Sequence, residues 1–128
     1  MATAFQLDAV DANAVDANAL DANALAYSPL ISVVVPAYNA DAFIAGTLAS
    51  VLSQTYQNLE VWVVDDGSSD RTAAIVEKLA QQDARINLLR QANQGVAIAR
   101  NAGIQAAKGE FIAPIDADDV WWPGALEK

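Results

Sequence analysis

Residues 30–36 read LISVVVP, a nearly unbroken run of branched apolar side chains. A half-exposed strand alternates apolar and polar positions, and this run does not. Such a strand must be covered on both faces, which is the situation of a strand inside a parallel sheet with helices on either side. The rest of the chain supplies the cover. Residues 40–54 follow a helical period, with Ile44, Leu48, Val51 and Leu52 on one face. Residues 59–64 (LEVWVV) read as a second strand, and residues 70–82 as a second helix with Ser69 or Asp70 as its N-cap. A short third strand is expected over 86–89, an alanine-rich helix over 96–108 ended by Gly109, and a fourth strand over 110–115. Pro123 suits the first turn of one more helix.

Strands and helices in strict alternation predict an α/β, Rossmann-like, three-layer αβα fold with a mainly parallel sheet and right-handed crossovers. The expected strand order is 3-2-1-4. Ligands in such sheets sit beyond the carboxyl ends of the strands, where the order reverses. The chemistry is therefore expected in the loops after strands one, two and four. These carry Ala37-Tyr38-Asn39, Asp65-Asp66-Gly67-Ser68-Ser69-Asp70 and Asp116-Ala117-Asp118-Asp119.

Composition narrows what those loops can do. The chain has neither cysteine nor histidine, so thiolate sites, disulfides and imidazole bases are unavailable within it. Its net charge of −9 disfavours nucleic acid and anionic lipid as partners. An acidic protein still binds an anionic ligand when a divalent cation lies between them. Asp116, Asp118 and Asp119 put three carboxylates into four residues, and like charges so close favour a neutralising Mg2+ or Mn2+. The alternative is a solvated acidic turn capping the next helix. An EF-hand is excluded, because Val120 and Trp121 stand where an oxygen ligand and the turn glycine belong.

Asp65 and Asp66 exceed what a helix cap needs, and a carboxylate there suits a base N–H or a ribose hydroxyl. A plain capped turn is the competing reading. Tyr38 offers a flat face to a base, or is an ordinary turn residue. Arg100, beyond the Gln94-Gly95 turn, suits a diphosphate or a surface carboxylate. Trp121 and Trp122 suit a sugar pocket or a further packing surface. No G-x-G-x-x-G, G-x-x-x-x-G-K-[ST] or G-x-S-x-G occurs, which argues against a dinucleotide-binding, P-loop or serine-hydrolase domain.

Five segments in order carry a resemblance: Val35-Pro36-Ala37-Tyr38-Asn39; Ser50-Val51-Leu52-Ser53-Gln54-Thr55; Val64-Asp65-Asp66-Gly67-Ser68-Ser69-Asp70; Asn93-Gln94-Gly95 with Ala99-Arg100-Asn101-Ala102-Gly103; and Gly109-Glu110-Phe111-Ile112 with Asp116-Ala117-Asp118-Asp119. Together they resemble the family 2 glycosyltransferases of the GT-A fold, over about residues 30–128. The resemblance implies transfer of a sugar, with inversion, from a nucleotide-diphosphate sugar, UDP-sugar favoured, to an acceptor hydroxyl. It implies a nucleotide-sugar site of Pro36, Ala37, Tyr38, Asn39, Asp65, Asp66, Gly95, Arg100, Asp116, Ala117 and Asp118. It further implies a divalent cation, Mn2+ or Mg2+, held by Asp116, Asp118 and Asp119. The general base of this family lies about a hundred residues beyond its acidic motif, so no catalytic residue is assigned and the chain is read as the donor-binding part alone. A non-catalytic diphosphate-binding module and an inactive remnant are the alternatives.

Residues 9–26 repeat the pattern AVDAN about three times. A pentapeptide β-helix wants a small residue where Asn stands, so residues 1–28 are expected to be a low-complexity, disordered leader before the domain at 29–128. The first basic residue is Arg71 and no apolar run reaches the roughly 20 residues of a membrane span. The expectation is a cytoplasmic protein, with a peripheral place on the inner face of a membrane left open for the full-length enzyme.

Overall fold

A computed structural model describes residues 27–127. The expected leader lies almost entirely outside the described residues. Four strands and three helices alternate: β1 (Ile31–Ala37), α1 (Ile44–Leu52), β2 (Leu59–Asp65), α2 (Thr72–Gln82), β3 (Ile86–Arg90), α3 (Val96–Ala106) and β4 (Phe111–Pro114). All pairings are parallel and the order is β3-β2-β1-β4, as expected. The architecture is the expected Rossmann-like α/β arrangement with a parallel sheet.

Every residue of β1 is buried. Its odd-numbered side chains Ile31, Val33 and Val35 join Val61 and Val63 of β2, Ile44, Leu48 and Val51 of α1, and Val76 of α2 in one apolar cluster. Its even-numbered Val34 faces the other way, with Val64, against Gly103 of α3. The unbroken apolar run thus reflects two layers of helix, one on each face of the sheet.

Several ends differ from expectation. Helix α1 starts at Ile44 rather than residue 40, because the Ala40 carbonyl accepts both Phe43 N–H and Ile44 N–H and closes a separate turn. Helix α2 begins at Thr72 and is capped from outside: Asp70 Oδ1 accepts the Thr72 N–H at 2.9 Å. The chain after Trp122 forms only a short 3-10 turn at Ala125–Glu127.

Gly109 does not end α3, which stops at Ala106 with Ala107 already extended. It lets the chain pass close to β1. A Cβ at Gly109 would lie 2.6 Å from the Leu30 carbonyl oxygen and 2.7 Å from Ser32 Oγ. The Gly109 N–H donates to Ser32 Oγ at 2.8 Å, and Ser32 Oγ donates to Glu60 at 2.6 Å. Gly109→Ala is expected to cost about 2 kcal/mol in urea unfolding, because backbone cannot yield as a side-chain tip does. A change below about 0.5 kcal/mol, the range of neutral surface substitutions, would contradict that account. No helix among the described residues is long and apolar enough to cross a membrane.

Candidate active site

The β1–β2 register aligns Ala37 with Asp65, so the loops after both strands leave the sheet at one end. The β1–α1 loop turns at Asn39, whose φ of 47° lies in the left-handed region that Asn tolerates. Its side chain and backbone bond to the loop after β2. Asn39 Oδ1 accepts the Ser69 N–H at 2.8 Å, and the Asn39 N–H donates to Ser68 Oγ at 2.9 Å. The Asp41 N–H donates to Asp70 Oδ2 at 3.2 Å. These bonds tie the first two loops to each other.

Asp65 and Asp66 separate in role. Asp65 is buried, with Oδ1 accepting the Ser68 N–H and Oδ2 lying 3.7 Å from Arg90 Nε. Asp66 turns toward the loop between β3 and α3. Its Oδ1 accepts from Gln91 Nε2 and Gln94 N–H, each at 2.8 Å, and its Oδ2 from Gly95 N–H at 2.9 Å. Burial alone would push this carboxyl up, but the donations from Gln91, Gln94 and Gly95 outweigh burial and hold it below the usual aspartate range. Asp66 is therefore an anion that its own chain has already solvated.

Pro36, Ala37, Tyr38 and Asp66 surround a small cleft of about 60 Å³ whose remaining wall is Val96 and Ala99 of α3. Tyr38 is 53% exposed at its mouth. A second, open cleft of about 370 Å³ is lined by Arg100, Pro114, Ile115, Asp116, Asp119 and Trp121. Ala99 lines one cleft and Arg100 the other, so the two flank the start of α3. Val96 was not anticipated as part of this cleft.

Asp116, Asp118 and Asp119 are all exposed, and each offers an oxygen within 4.8 Å of the others. The Asp119 N–H donates to the Asp116 carbonyl at 3.0 Å, which folds the carboxylates into one turn. Arg100 Nη2 lies 3.9 Å from Asp116 Oδ1. Its carboxylate partner thus belongs to the acidic loop itself. An all-oxygen, solvent-facing set of this size suits a hard divalent cation. Ala117 takes a different part, with its side chain in the apolar core and its carbonyl accepting Thr47 Oγ1 at 2.8 Å. Trp121 walls the larger cleft, while Trp122 is half-exposed.

The family model described as Glycosyl transferase family 2 matches residues 32–128. The chain belongs to that family. GlyG of Streptococcus pneumoniae, a glycosyltransferase, is 47% identical over 94 residues, covering 73% of this chain and 31% of that protein. The chondroitin synthase of Pasteurella multocida is 39% identical over 99 residues, 77% of this chain and 10% of that one. Among solved structures, S. aureus TarS in complex with UDP-GlcNAc matches with a TM-score of 0.71 and 35% identity, over 76% of this chain and 29% of that one. The mannosyltransferase PcManGT of Pyrobaculum calidifontis, in complex with GDP-Man and Mn2+, gives 0.69 and 34%, over 74% and 29%. This family 2 chain thus spans less than a third of each of these four proteins.

Proposed function

We propose that this chain forms the donor- and metal-binding part of an inverting glycosyltransferase that uses a nucleotide-diphosphate sugar, with UDP-sugar favoured. One observation carries the reading: the Tyr38–Asp66 cleft and the three-carboxylate loop open on either side of the start of α3, with Arg100 beside the carboxylates. That spacing suits a ligand with an aromatic base at one end and a diphosphate at the other. The complexes of TarS with UDP-GlcNAc and of PcManGT with GDP-Man and Mn2+ support it.

In this reading Pro36, Ala37 and Tyr38 pack against the base, and Asp66 accepts a base N–H. Asp65, Asn39 and Gly95 hold the loops that shape the cleft. Asp116 and Asp118 contact ribose and metal, Asp119 shares the metal, and Ala117 sets the spacing of its neighbours. Arg100 binds the diphosphate. A divalent cation, Mn2+ or Mg2+, would neutralise the diphosphate as leaving group. The acceptor hydroxyl attacks the anomeric carbon from the opposite face, which gives inversion. The base that deprotonates it is assigned to no residue of this chain, so the chain alone is expected to bind donor without transferring sugar.

Calorimetric titration with UDP, with and without Mn2+, tests this directly. Wild-type chain should bind in a Mn2+-dependent way, and Asp118→Ala should weaken binding at least about tenfold while circular dichroism stays native. A folded chain that binds neither UDP nor GDP in the presence of Mn2+ would sink the reading.

A further inference from the structure

The acidic loop has no strand or helix of its own to hold it, yet its carboxylates must keep fixed spacing to share one cation. The support comes from one polar face of α1 and the residues just after it. Thr47 Oγ1 donates to the Ala117 carbonyl at 2.8 Å. Ser50 Oγ accepts the Trp121 N–H at 3.1 Å and donates to the Thr47 carbonyl at 2.7 Å. Gln54 Nε2 donates to the Trp122 carbonyl at 2.9 Å, and Gln54 Oε1 accepts the Leu126 N–H at 3.2 Å. The Thr55 N–H donates to the Pro123 carbonyl at 3.2 Å. Thr47, Ser50 and Gln54 are buried, at 1%, 9% and 2% exposure. Two buried polar side chains on an otherwise apolar helix and a third just past its end would be costly without partners, and each has its partner in the segment that runs from the acidic turn to the 3-10 turn.

We infer that Thr47, Ser50 and Gln54 are positioning residues that hold the acidic loop in the geometry needed for the cation and diphosphate. The inference rests on the functional reading above for its ligand, but not for its structural content. Thr47 matters most, because it grips the peptide between Asp116 and Asp118 and so sets the angle between the two carboxylates. None of the three lines either of the two clefts described. Their effect belongs to the metal end of the site and not to the base end, whose walls are Pro36, Tyr38, Asp66 and Val96.

That separation makes the test. Thr47→Val keeps the shape and removes the donor, whereas Thr47→Ser keeps the hydroxyl. Binding of UDP with Mn2+ is compared with binding of uridine without metal, and amide exchange is followed at Asp119, Trp121, Gln94 and Gly95. Thr47→Val should weaken Mn2+-dependent UDP binding at least about tenfold, leave uridine binding unchanged, and speed exchange at Asp119 and Trp121 only. Thr47→Ser should restore wild-type behaviour. Parallel loss of UDP and uridine, or unchanged exchange at Asp119 and Trp121, overturns the inference. If wild-type chain binds no nucleotide, the functional reading fails alone and the exchange comparison still decides the positioning claim. Ser50→Ala, which removes the acceptor for Trp121, is read by the same measurements should Thr47→Val not fold.

Discussion

Asp66→Asn should destabilise the fold by about 3 kcal/mol although it changes one atom in the side chain. The native carboxylate accepts four N–H groups, two from the backbone at Gln94 and Gly95 and two from the side-chain amides of Gln91 and Asn93. An amide has one accepting oxygen. Placed at Oδ1 it serves Gln91 and Gln94 and turns its NH2 against the Gly95 N–H; reversed, it opposes two donors. Either choice leaves a donor unsatisfied at a buried site and gives up the charge that strengthens the rest. In a domain of this size the midpoint of thermal unfolding should fall by roughly 12 °C or more.

The pH profile separates this cause from simple damage. The folded pKa of Asp66 lies below its unfolded value of about 3.8, so near that pH the unfolded chain binds more protons than the folded one. The contribution is fully present above the ordinary aspartate range and is lost as pH falls through it. Asp70 behaves alike: burial pushes it up, and donations from Thr72 and Asp41 bring it below the usual value. Urea midpoints of wild type should therefore decline steeply below about pH 4, and Asp66→Asn should flatten that decline. A variant within about 0.5 kcal/mol of wild type, with the same acid slope, would refute the view of Asp66 as the centre of the loop.

The second large effect lies at Gly103. A Cβ there would stand 2.5 Å from Val34 Cγ1 and 3.2 Å from Val64 Cγ2, on the face where α3 meets the two central strands. Both valines are fully buried, so neither can swing into solvent. Gly103→Leu must push α3 off the sheet, and the expected loss exceeds the usual 1–3 kcal/mol of overpacking, reaching about 4 kcal/mol. Because Ala99 and Arg100 ride on the same helix, nucleotide binding should fall with stability. Urea unfolding and UDP titration on the variant check both. A folded variant with native affinity would show that the contact between α3 and the sheet is looser than these distances imply.

The fold was legible because its signals were repetitive. A strand with no polar face, three helical periods and a regular alternation leave few arrangements, and 3-2-1-4 was among them. The acidic loop was legible as a cluster because three carboxylates fall in four residues directly after a buried strand. What stayed hidden depends on where chains meet, which no local pattern records. Gly109 looked like a helix stop because glycine usually is one there; its use is the approach to Leu30 and Ser32, far away in sequence. Asn39 and Asp65 also brace neighbouring loops, through Ser69 and Ser68, which no local pattern shows. Thr47 and Ser50 share one face of α1 and Gln54 follows just past its end, so their partnership with a second polar segment could have been read from their spacing. Gln54 and Ser50 were instead noticed only as parts of a motif.

The central place of β1 also bears on how the chain is made. Ile31 pairs with Leu59 on one side and with Phe111 on the other, so β1 waits for β4, the most distant of the described strands, before its second edge is covered. Until then an apolar, β-branched run emerges from the ribosome with an open ladder, the kind of segment that associates with its own copies. Sheets built from such distant parallel pairings form slowly. Yield during expression should therefore depend on temperature and chaperone supply more than the stability of the finished fold would suggest.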